Sequence, residues 1–166
     1  MRKTDVAVLF EYLFWLRDRI LKAASELSPA DFTSPGTVTT RDLRATLVHE
    51  LEGEWGWRER LRTGRFPEGE LYPDDYPTLQ AVAEHWRRDE AEMRGWLAGL
   101  TDEQLATVPR GEDDPFPLWY YAVHFLSHAI QQYSEAAVLL TRSGHSPGEI
   151  GFLEFAEALP KPTGSD

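Results

Sequence analysis

The chain has 166 residues, 42% hydrophobic and 27% charged, a composition that fits one folded domain over residues 1–166 and excludes a disordered chain. Its 17 Lys and Arg against 28 Asp and Glu give a formal net charge of -11, which argues against nucleic acid and anionic membrane as partners. The absence of cysteine excludes disulfides, thiolate zinc sites and cysteine nucleophiles, and leaves any metal site to His, Asp, Glu or Gln.

Val6, Leu9, Phe10, Leu13, Leu16, Ile20, Ala24 and Leu27 recur at three- and four-residue spacing, which predicts a first helix over residues 4–27, ended by Ser28-Pro29. Asp5, Glu11, Arg17 and Asp18 interrupt this segment, so it is no signal-peptide core, and no apolar run elsewhere approaches the roughly 18 residues of a membrane span. A cytoplasmic protein is expected. Thr39 or Thr40 is the expected N-cap of a second helix running to about Thr63 and stopped by Gly64. A proline- and glycine-containing connection leads to Tyr76-Pro77 and a third helix carrying Leu79, Val82, Trp86, Met93, Trp96, Leu97 and Leu100. Thr101–Leu105 reads as a capped turn or short helix, and Asp113-Asp114-Pro115 as the start of a fourth long helix reaching about Arg142. Glu149 to Leu159 predicts a short closing helix, with a frayed tail from about residue 160. No segment alternates with period two, so the expected fold is all-α: a four-helix bundle with a short additional C-terminal helix.

His124 and His128 are four apart on the fourth predicted helix and share one face, and Gln132 continues that row one turn further. His49 lies within the second helix between Val48 and Leu51. If these helices face each other, His49 joins the row and supplies neutral ligands to a divalent metal with an open coordination position. The competing reading is histidines hydrogen-bonded within a packed helix interface. The tryptophans at 55, 57, 86, 96 and 119 are expected in the core or a dimer interface. Arg58, Arg60, Arg62 and Arg65 are expected to be solvated near the C-terminal end of the second helix. His85 and His145 have no partner at metal spacing, and Asp74-Asp75 and Asp113-Asp114 lack the graded spacing of a calcium loop.

The segment His124-Phe-Leu-Ser-His128-Ala-Ile-Gln-Gln132-Tyr-Ser-Glu135, followed by Gly144-His-Ser-Pro-Gly-Glu-Ile150, resembles the C-terminal signature of the DinB/YfiT-like family, approximately H-x-x-N-H-x-x-x-H-R-G-Q and then G-x-x-P-x-D-I-D. Leu47-Val-His49-Glu with Trp55-Gly-Trp57, and the opening Glu11-Tyr12-Leu-Phe-Trp15, are similar to its second and first helices. The resemblance implies a four-helix bundle, a homodimer, and a divalent ion, zinc or nickel, held by one histidine of the second helix and two of the fourth. Carried over by position, the ligands are His49, His128 and Gln132, with glutamine standing where the pattern has histidine; His124, one turn below His128, is the substitute, and Glu135 a remoter one. The resemblance further implies a small-molecule substrate and a metal-dependent transferase that uses a low-molecular-weight thiol. The alternative it leaves is a metal-free small-molecule-binding or stress-response protein of the same fold.

Overall fold

The computed structural model describes residues 1–35, 39–109 and 116–160. Four long helices, α1 (Lys3–Ala24), α3 (Leu43–Thr63), α4 (Leu79–Gly99) and α6 (Leu118–Arg142), form a bundle. Three short helices, α2 (Pro29–Phe32), α5 (Asp102–Ala106) and α7 (Phe152–Ala158), lie between or after them, and the described residues contain no strand. No helix among them is long and apolar enough to cross a membrane.

Local chemistry sets the helix ends, and in several places moves them from where the pattern pointed. α1 stops at Ala24 rather than Leu27, because Ser28 and Pro29 start a new helix instead of merely ending the old one. The Ser28 hydroxyl accepts from the Asp31 amide at 3.2 Å, and Pro29 occupies the first turn of α2, where its missing N–H leaves nothing unpaired. Asp42, not Thr39 or Thr40, caps α3: its carboxylate accepts from the Ala45 amide at 2.7 Å and lies favourably at the positive end of the helix dipole. Gly64 ends α3 as expected, at φ 81, a left-handed conformation that glycine adopts without a Cβ clash. Thr78, the residue directly after the expected Tyr76-Pro77, caps α4. Tyr76 instead folds inward, and its hydroxyl meets His85 Nδ1 at 2.7 Å.

Thr101 and Gln104 cap α5 reciprocally, as the sequence suggests. α6 starts at Leu118, and the Asp113-Asp114-Pro115 start falls outside the described residues, as does the tail from 161. α7 begins three residues later than expected because the preceding non-helical segment docks on α1, the Tyr12 hydroxyl donating to the Ile150 carbonyl at 2.9 Å.

α3 packs most extensively on α6, and α1 on α6, with α4 closing the bundle against α3 and α1. The apolar core centres on Phe10, Leu13, Leu47, Leu51, Trp86 and Phe125, all essentially inaccessible. Charged groups are buried among them. Arg58, expected to be solvated, is only 6% exposed and donates through Nε and Nη2 to one oxygen of Asp89, at 3.0 and 2.6 Å. Arg17 is likewise buried and is paired with Glu90 across α1 and α4. Arg17, Glu50, Glu54 and Arg58 lie on the inward stripes of α1 and α3, so helical spacing rather than residue type governs their burial.

Candidate functional site

Close contacts of α3, and of Arg41 just before it, with α6 occur in a fixed order: Arg41 with Gln132, His49 and Glu50 with His128, Trp57 with His124. Rising numbers on one side meet falling numbers on the other, so the two helices run antiparallel. A groove between them carries the sequence-predicted residues in this order.

His49 and His128 come together, with ring centroids 5.8 Å apart and planes inclined at 63°. Both rings are half-buried. Burial, and after it the nearby Arg41 charge, holds both imidazoles below their ordinary value, so both are neutral at pH 7. His128 Nδ1 faces Glu50 Oε2 at 3.4 Å. The Glu50 side chain is 1% exposed, and neither of its oxygens has a hydrogen-bond partner among the described residues. Burial pushes the Glu50 carboxyl well above the ordinary carboxylate range.

His49 and His128 line one end of a cavity of about 230 Å³, and Trp55, Trp57, Phe66 and Pro67 line the other. Gly53 also lines it. A Cβ at Gly53 would stand 3.2 Å from His128 Cε1 and 3.4 Å from Nδ1, so the missing side chain lets the imidazole lie against α3. Gln132 lies one turn beyond His128 and is 7% exposed, with its Oε1 accepting from Arg41 Nη2 at 3.2 Å. The same guanidinium lies 3.8 Å from the Glu135 carboxylate. His124 is exposed, and its ring packs edge-on against Trp57 at 4.8 Å, away from the His49–His128 pair.

This donor set does not fit a three-ligand divalent centre. Two imidazoles converge, but the amide oxygen that would be third is engaged by a guanidinium whose positive charge opposes a dication. His124 does not replace it, and among the described residues no group of three His, Cys, Asp or Glu could hold a metal ion. Elsewhere, Asp74 is paired with Arg44 at 3.0 Å on the surface, and His85 with Tyr76 in a partly buried contact.

Sequence reasoning passed over Arg41, Glu50, Gly53 and Glu54. Glu50 and Glu54 carry a legible signal, since they fall on the stripe of Leu47, Leu51 and Arg58 that the helix buries. Arg41 has none, because it precedes the helix and meets α6 only through the fold.

Glu54 accepts from the Tyr133 hydroxyl at 2.5 Å, and burial with the neighbouring Glu50 carboxyl raises it from 4.5 to about 8. Folding therefore retains a proton between those values that the unfolded chain has released. The stability this group contributes is complete below about pH 4.5 and is lost as pH rises to about 8. Glu54→Gln should gain on the wild type over that window, by up to about 1.4 kcal/mol per pH unit. Urea denaturation of both proteins across the window checks this, and parallel stability curves would refute it.

A comparison with curated proteins finds no match. The model of the DinB family matches residues 1–162, nearly the full length and including both helices that build the cavity. The chain belongs to the DinB family.

Proposed function

We propose that this protein binds a small organic molecule in the α3–α6 cavity without a metal ion. The observation that supports the reading is the Arg41–Gln132 hydrogen bond: a guanidinium stands where the family pattern would direct a third ligand toward an ion. A fixed cation and a bound dication a few ångströms apart repel each other strongly in a half-buried groove. The cavity remains suitable for an organic ligand, with neutral imidazoles at one end and aromatic rings at the other, the mixture of apolar wall and a few orienting polar groups that ligand sites share.

The test is elemental analysis of protein purified without an affinity tag after growth in zinc- and nickel-supplemented medium. The expected content is below about a tenth of an equivalent, whereas a structural or catalytic ion bound tightly enough to matter survives purification near one equivalent. A stoichiometric ion would instead favour metal-dependent thiol transfer. That alternative draws support from the 5.8 Å separation of the His49 and His128 rings, but it requires Arg41 to leave Gln132.

A further inference from the structure

We propose that the ligand of the α3–α6 cavity is a neutral aryl amide: one flat aromatic ring bearing an uncharged group that both donates and accepts hydrogen bonds. This inference rests on the metal-free reading and names the ligand class for that site.

The charges around the cavity disfavour a ligand of either sign. Glu52, one turn from His49 on α3, is the one charged residue that lines it among the described residues. Its Oε1 accepts from the Leu71 amide at 3.2 Å, which fixes the carboxylate at the wall, where it repels a bound anion. Glu50, buried beside His128, adds no charge that would favour an anion. At the aromatic end the Arg60 guanidinium lies over the rings of Phe66 and Trp57, 4.8 and 5.4 Å from their centroids. A cation drawn to those rings meets a like charge already stacked on them. Arg41 and Glu135 face each other at 3.8 Å and do not line the cavity.

His49 and His128 then select among neutral ligands. A neutral imidazole, the ordinary form at about pH 8, carries one donor and one acceptor nitrogen. Two of them, with ring centroids 5.8 Å apart, complement an amide, which offers both; a carboxylate only accepts and an amidinium only donates. Shape selects the rest of the molecule. Trp55, Trp57 and Phe66 supply ring surface, and Gly53 and Gly56 bring no side chain to the α3 wall. An apolar cavity of about 150 Å³ holds one benzene. At about 230 Å³ this cavity has room for one ring and a short polar substituent.

The experiment titrates benzamide, benzoate, benzamidinium and cyclohexanecarboxamide into the full-length protein at about pH 8, where the first three differ in charge but hardly in shape. Calorimetry and tryptophan fluorescence, with Trp55 and Trp57 in the cavity wall, read the binding. Benzamide should bind at least about tenfold tighter than either charged isostere, and about threefold tighter than the puckered cyclohexane amide. Glu52→Gln keeps an oxygen for the Leu71 amide and should narrow the gap between benzamide and benzoate at least about threefold. Arg60→Gln should narrow the gap between benzamide and benzamidinium, with circular dichroism confirming that both variants fold. The wild-type probe series decides the matter even if a variant does not fold. Benzoate or benzamidinium within about threefold of benzamide, equal binding of the cyclohexane amide, no binding by any probe at about 10 mM, or a benzoate gap unchanged by Glu52→Gln overturns the proposal. Metal content is measured on the same preparation. A stoichiometric ion refutes the metal-free reading, whereas ion-free protein without preference for benzamide refutes only the amide assignment.

Discussion

Gln132→His should increase the uptake of zinc or nickel over that of the wild type, approaching one equivalent when Arg41→Ala is added. The substitution places a third imidazole one turn from His128 on the same face of α6, beside the pair whose rings already lie 5.8 Å apart. It also removes the amide oxygen that holds Arg41, and deleting the guanidinium removes the charge that opposes a dication. The single variant should therefore bind more weakly than the double variant. Elemental analysis and competition with a chelator measure both. No uptake by the double variant would mean that His49 and His128 do not converge on a common point, and the site geometry would have to be redrawn.

The largest effect on stability should come from Asp89→Ala. Asp89 and Arg58 are 3% and 6% exposed, and removing the carboxylate strands a buried guanidinium. Breaking a buried pair from one side typically costs about 3–5 kcal/mol. The lower end is expected here because Arg58 Nη1 also donates to Glu59 at 2.7 Å. Replacing both partners, Arg58→Met with Asp89→Leu, should recover most of the loss, since no charge is then left buried. Urea denaturation of the three proteins separates the explanations: a double variant as unstable as Asp89→Ala would point to lost packing rather than an unpaired charge.

The helices themselves were readable because each long one carries an apolar stripe at helical spacing, and α3 in particular ends at Gly64 where a left-handed residue is required. Their starts were less readable. Several cap-forming residues stand close together before α3, and only the fold decides that Asp42 rather than Thr39 or Thr40 turns its side chain onto the first-turn amides. At the site, the facing of His49 and His128 followed from periodicity once α3 and α6 were taken as neighbours. The fate of the remaining candidates did not. His124 shares the face of His128, but its ring packs edge-on against Trp57, and Gln132 finds Arg41, a residue 91 positions away in the chain. Contacts of that range are invisible to local pattern. Arg58 shows the opposite limit: composition assigned it to solvent, while its position on the inward stripe of α3 buried it.

Ion pairs bind α4 to its neighbours, through Arg58 and Asp89 on the α3 side and through Arg17 and Glu90 on the α1 side. Hydrocarbon surfaces tolerate sliding, because one leucine serves nearly as well as another, but a guanidinium moved one turn, about 5.4 Å, loses its carboxylate altogether. The scaffold behind α3 is thereby pinned in register before anything enters the groove. Capture by such a rigid recess should require little rearrangement and proceed at similar rates for related compounds, so stronger and weaker ligands should differ mainly in residence time.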